Sequence, residues 1–338
     1  MKIGIVGLPN VGKSSLFQAL TKKQVDTSNY PFATIDPNVG IVPVPDERLE
    51  KLVKFSNSKK VVPAIVEFVD IAGLVKGAAE GEGLGNKFLT HIREVDAVCH
   101  VVRAFVNENI THVAGKPDPL RDLEIIKTEL ALKDLETITK SIANAQKDAK
   151  TGDKEKIENL EVLKSLEEKL KKSEFFASDQ EKNILQNLQL LSFKPSFVIF
   201  NISGKNVDIP KIPRSLPLDI SQENELSNMS VDEKKELGLE SELPKLIRAG
   251  YELLNLITFF TTGEDESRAW TIPQGSTAKK AGRVIHSDFE EKFIKADVIF
   301  WEKLLEAQSW SRAHDLGWLR SEGKEYIVQD GDVIEFKI

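Results

Sequence analysis

Apolar residues along this 338-residue chain change rhythm twice. In the first part they form short β-branched runs at Ile3 to Val6, Val61 to Val69, Ala97 to Val102, Ser196 to Phe200 and Leu216 to Ile220, the signature of strands buried on both faces. Helical spacing between several of them, over Gly12 to Thr21 and Phe88 to Glu94, predicts a doubly wound α/β domain with a mostly parallel sheet. Val39 to Val44 reads as an added edge strand, because Pro43 has no N–H to give to a ladder.

From Pro119 to about Leu191 the pattern becomes polar-rich, with apolar residues at helical spacing: Leu132, Leu135, Ile138 and Ile142, then Ile157, Leu160, Leu163, Leu166 and Leu170. Thr151, Gly152 and Asp153 mark a turn between two antiparallel helices, and the first arm alone can extend about 45 Å at 1.5 Å per residue. Alternating Lys and Glu along this arm read first as a solvated helical face, with a partner-binding arm as the alternative. From about Leu254 short β-like runs return at Ile257 to Thr262, Trp270 to Ile272, Val298 to Trp301, Tyr326 to Val328 and Val333 to Phe336. Asp330 and Gly331 between the last two predict a hairpin within a small β-rich α+β domain. The expected division is an α/β domain over 1–116 and 192–253, a helical insertion over 117–191 and a C-terminal domain over 254–338.

Composition narrows the class without changing this picture. A hydrophobic fraction of 41% with 29% charged residues and no 18-residue apolar run excludes a helical membrane protein, and the start MKIGIV has no basic n-region, so a cytoplasmic protein is expected. The single cysteine, Cys99, rules out an intramolecular disulfide and a cysteine zinc cluster. A net charge of −7 gives no global attraction to nucleic acid, and Lys279, Lys280 and Arg283 make only a small basic cluster.

The chemistry is concentrated where the first strand ends. Residues Gly7 to Ser14 read GLPNVGKS, which fits GxxxxGK followed by Ser or Thr, directly after an apolar strand. In such a loop the backbone N–H groups of Asn10, Val11, Gly12, Lys13, Ser14 and Ser15 can cradle phosphate, Lys13 reaches the outer phosphates and the Ser14 hydroxyl ligates Mg²⁺. Asp70, Ile71, Ala72 and Gly73 give DxxG at the end of a strand, so that Asp70 can hold Mg²⁺ through water and the Gly73 N–H can sense the γ-phosphate. Thr34, in YPFAT, can complete the Mg²⁺ shell as a first switch. Leu74 stands where related switches carry a water-orienting glutamine, so hydrolysis needs another helper. A guanine reader carries NKxD after the fifth strand; here the residues are Asn201, Ile202, Ser203 and Gly204, with no aspartate. Strict guanine recognition therefore lacks its main discriminating pair, and backbone groups at Ile202 and the Asn201 amide are left to contact a base.

GLPNVGKSS, YPFATIDPN, VEFVDIAGLVKGA, GEGLGNKFL and the distal RAWTIPQGSTAKKAGRVIHSDFEEKFIKADVI together resemble the YchF or Obg-like ATPase family. The resemblance implies a Ras-like P-loop NTPase domain with an inserted helical hairpin of coiled-coil type and a C-terminal TGS domain of β-grasp type. It implies a Mg²⁺-dependent ATPase that releases ADP and phosphate, and it implies the ribosome, through its large subunit, as partner. It also places a catalytic helper at His112, in ITHVAGKPDP, beside Lys13; His91, His100, His286 and His314 have weaker claims, and His100 reads as a structural residue of a buried strand. The family often has NxxE where Gly204 stands, and this chain departs from it there. The expected function is a slow ATP switch acting as a monomer, possible RNA contacts included and membranes excluded. The competing readings are a nucleotide-gated RNA or protein adaptor with incidental hydrolysis, and a true GTPase.

Overall fold

A computed structural model describes residues 1–22, 36–71, 91–112, 115–204 and 207–338. The described residues divide into two compact units: 1–22, 36–40, 67–71, 91–112, 115–204 and 207–242 form the first, and 41–66 and 243–338 the second.

One sheet has six strands, β1 (Lys2–Val6), β2 (Val39–Pro43), β4 (Ile65–Asp70), β5 (Ala97–Arg103), β6 (Ser196–Asn201) and β7 (Ser215–Leu218), in the order β2-β4-β1-β5-β6-β7, and β1, β5, β6 and β7 lie wholly in the first unit. From β4 to β7 every neighbouring pair is parallel, and the edge position of β2 agrees with the proline at its end. All residues of β5 are buried, as expected of a central parallel strand with both faces covered. The parallel arrangement brings the C-terminal ends of β1, β4, β5 and β6 to one edge, where α/β sheets carry their ligands.

The helical arm follows its predicted turn. One helix runs Pro119–Ala149, capped by the Asp118 carboxylate on the Arg121 N–H, and a second runs Lys154–Lys171, capped by Asp153 on the Glu155 N–H. Gly152 makes the turn at φ 77°, a left-handed conformation that costs glycine little. The seam between the arms buries Ala131, Ile138, Ile142 and Ala145 against Leu163, Leu166 and Leu170. Leu132 and Ile157, expected in that seam, are 47% and 40% exposed, because the helical period carries them round to the outer face. A further helix, Asp179–Leu188, packs at the base of the arm, with Ser178 and Glu181 forming a capping box.

In the second unit the sheet order is β11-β10-β12-β8-β9-β3, with β3 (Lys60–Val62), β8 (Leu256–Thr262), β9 (Glu266–Pro273), β10 (Lys295–Phe300), β11 (Arg320–Glu322) and β12 (Asp332–Lys337). The helix Ala278–Ile285 lies over a core of Phe259, Ile272, Val298, Ile334 and Phe336. The hairpin expected between Tyr326 to Val328 and Val333 to Phe336 does not form. Ile327 makes only an isolated bridge to Thr277, and β12 pairs antiparallel with β10 and parallel with β8, so the Asp-Gly turn feeds a central strand instead. Residues 41–66 group with this unit, where the sequence pattern had put them with the nucleotide-binding strands. The reason is β-pairing of β3 with β9 and a bidentate anchor: Arg48 bridges Asp46 and Asp330 at 2.7 and 2.6 Å.

Candidate functional site

Where β1 ends, Asn10 and Gly12 take left-handed backbone angles, φ 60° and 104°, and fold residues 7–12 into a tight loop. A side chain at Gly7 would run into the Val101 carbonyl, and a Cβ at Gly12 would lie 2.6 Å from the Asn201 amide nitrogen. The helix Lys13–Thr21 then starts with no side chain capping it, so its first-turn N–H groups are offered to a ligand. Ser14 and Ser15 are exposed at that end. Lys13 folds back so that its Nζ donates to the Leu8 carbonyl at 2.8 Å. Burial lowers its pKa to about 8, and only the Asp70 carboxylate opposes the shift. A buried ammonium beside an uncapped helix start is the chemistry that suits an anion.

Asp70 ends β4 in register with Ile5, one residue before β1 ends, which puts its carboxylate at the same sheet edge as the loop. The Ser14 hydroxyl and Asp70 are the hard oxygen donors that a phosphate-bound Mg²⁺ uses, and the described residues contain no cluster of three His, Cys, Asp or Glu that would hold a metal by itself. Thr34, Gly73 and Leu74 lie outside the described residues.

Beside the loop opens a cleft of about 590 Å³ lined by Asn10, Gly12, Ser15, Phe105, Asn201 and Asp219 among others, within the size range of small-molecule sites. Asn201, expected to read a base, is engaged at both ends: its Nδ2 donates to the Val11 carbonyl at 2.9 Å and its Oδ1 accepts from the Ile220 N–H at 3.4 Å. It ties the phosphate loop to the β6 and β7 ends. Ile202 and Ser203 follow it along the cleft wall. Asn224 adds a second tie, donating to the Ser15 carbonyl at 3.0 Å.

The opposite wall, Phe105 to Ile110, is held by a residue the sequence pattern did not single out. Arg103 is 1% exposed, and its guanidinium donates to the carbonyls of Phe105, Asn107 and Ile110 at 3.0, 3.1 and 3.1 Å while stacking on the Phe105 ring. Its one sequence signal is a charge closing an otherwise apolar strand. Beyond this wall the Asn10 amide donates to the Thr111 carbonyl at 3.2 Å, which brings the His112 segment against the phosphate loop. The His112 ring is buried, with Nε2 2.9 Å from Oδ2 of the fully buried Asp122. His100 is a different case: burial, helped by Lys127, holds its pKa near 3, so it is a neutral strand residue. No described helix is long and apolar enough to cross a membrane.

Comparison with known proteins agrees with this geometry. Residues 2–131 match the family described as "50S ribosome-binding GTPase", and residues 256–338 match the YchF-GTPase_C family, described as "Protein of unknown function (DUF933)". A Bacillus subtilis protein named "Ribosome-binding ATPase YchF" is 48% identical over 99% of this chain and 98% of its own length. A protein of the same name from Haemophilus influenzae is 46% identical over the same shares. The solved structure of the Schizosaccharomyces pombe YchF GTPase superposes with a TM-score of 0.86 at 38% identity, covering 100% of this chain and 97% of that one. With identity at this level over almost its whole length, the chain belongs to the YchF family.

Proposed function

We propose that this protein is a Mg²⁺-dependent nucleoside triphosphatase that prefers ATP to GTP and works as a nucleotide-controlled, ribosome-binding switch in the cytoplasm. The observation that carries the reading is the join between phosphate loop and cleft: the Asn201 amide bonds the Val11 carbonyl, so a triphosphate on the loop places its nucleoside against residues 201–203 and 219–221. The names borne by full-length relatives, ribosome-binding ATPases, support both the activity and the partner. Ser14 and Asp70 would hold Mg²⁺, which when bound neutralises charge on the outer phosphates. In this account Thr34 and Gly73 are the elements that respond to the γ-phosphate.

His112 is the proposed water-orienting base, with Asp122 as its positioning residue. Because the ring is buried against Asp122, turnover by the protein alone is expected to be slow and the ribosome to raise it. The helical arm and the C-terminal region 254–338 are the proposed ribosome-contacting parts. The experiment is co-sedimentation with ribosomes in ATP, ADP and a non-hydrolysable ATP analogue, with phosphate release followed in parallel. Binding that depends on the nucleotide, and ribosome-stimulated release that His112→Ala abolishes, are expected. Nucleotide-independent binding, or no hydrolysis in any mixture, would contradict the switch.

A further inference from the structure

Among the described residues lining the nucleotide cleft, Asp219 is the one anion. It stands between β7 and the helix Ile220–Leu226, where its carboxylate makes two bonds of different kinds. Oδ1 accepts from the Gln222 N–H at 3.0 Å, the local bond of a helix cap. Oδ2 accepts from the Gly204 N–H at 2.8 Å, across 15 residues of chain. Gly204 is the position at which a base-reading NKxD loop carries its acid. The carboxylate absent from that position is thus brought to it from the next strand end. Meanwhile the Asn201 amide is engaged in tying Val11 to Ile220.

We infer that Asp219 is a specificity-determining residue, whose carboxylate accepts an N–H from the exocyclic 6-amino group of adenine. An ionised carboxylate offers about four acceptor sites and no donor, so two remain after the Gln222 and Gly204 bonds. Adenine carries a donor at C6, whereas guanine carries a carbonyl acceptor there. The same oxygen therefore attracts the first and repels the second. A capping role alone accounts for the bond to Gln222 but not for the second oxygen, its bond to Gly204 or its place on the cleft wall. The inference rests on the reading that a purine triphosphate occupies this cleft.

The test is a thermodynamic cycle between side chain and ligand. Wild-type protein and Asp219→Asn are titrated calorimetrically, with Mg²⁺, with ATP, with purine riboside 5′-triphosphate, which is ATP without its amino group, and with GTP. Asparagine preserves the helix cap, and any distortion of the loop weakens both adenine-type ligands alike, so only a direct contact gives coupling. The expected result is that Asp219→Asn weakens ATP about tenfold and purine riboside triphosphate less than about twofold, the size of one charge-assisted hydrogen bond. Equal weakening of both, or no change in either, reduces Asp219 to a cap and overturns the inference. Selective weakening of GTP assigns the carboxylate to guanine's N–H edge and overturns it as well. A wild-type protein that binds none of the three removes the nucleotide reading itself, an outcome seen before the variant is compared.

Discussion

The loop proposed to cradle the phosphates is one contiguous stretch, residues 7–15, whereas the wall proposed to hold the base draws on residues 103–110, 201–204 and 219–224. The first is a local device: two left-handed residues and an uncapped helix start shape the proposed anion site within one stretch of chain. The second exists only once β5, β6 and β7 lie side by side, and it is kept in shape by Arg103, Asn201, Asn224 and Asp219. Phosphate binding should therefore respond to substitution as charge chemistry, and nucleoside binding as architecture.

The largest effect should come at the phosphate end. Lys13→Met removes the Lys13 ammonium from the loop and is expected to weaken ATP and inorganic triphosphate alike by about 100-fold, on the order of 3 kcal/mol for charge-assisted bonds to phosphate. Its fold should not suffer. Because burial depresses the Lys13 pKa to about 8, the unfolded chain binds the proton more tightly, so the charged lysine opposes folding at neutral pH. That penalty is relieved as pH rises from about 8 toward the ordinary lysine value near 10.5, and Lys13→Met should melt higher than wild type at pH 7 in the absence of nucleotide. The same depressed pKa predicts that ATP binding at pH 8.5 takes up a proton, since phosphate stabilises the charged form. Calorimetry in buffers of different ionisation enthalpy reads this uptake, and Lys13→Met should lack it.

A smaller and different effect is expected on the opposite wall. Arg103→Met keeps the buried bulk but strands three carbonyls, at a cost of about 3 kcal/mol in stability. Far below the lowered melting temperature it should still bind inorganic triphosphate normally while losing about tenfold in ATP affinity, through a wall that no longer holds its shape. If both ligands weaken equally, the two ends are one unit and the contrast between them fails.

The same contrast explains what could be read from residue order. The phosphate loop, most of the strands and the two arms at Thr151 to Asp153 were legible because their signals are contiguous, a motif, a run, a period and a turn, although the run Val61 to Val69 read as one strand divides into β3 and β4 of different sheets. Asp219 and Arg103 were not, since an aspartate before a helix and an arginine after a strand are common, and their meaning lies in Gly204 and Ile110 carbonyl or N–H groups that only tertiary structure supplies. The expected hairpin at Asp330 and Gly331 misled for a related reason. The turn forms, but the Asp330 carboxylate is used to accept the Thr258 N–H at 2.8 Å and to anchor Arg48, and the partner of β12 is chosen across the sheet. Residues 41–66 likewise join the second unit through β3 and Arg48, bonds with no trace in local pattern.

Competitive titration of ATP against GTP in Mg²⁺ tests the central claim most directly, because the absence of an acid at Gly204 and its presence at Asp219 both bear on the base alone. ATP binding more tightly than GTP is the predicted result. GTP binding tenfold more tightly than ATP would contradict the account.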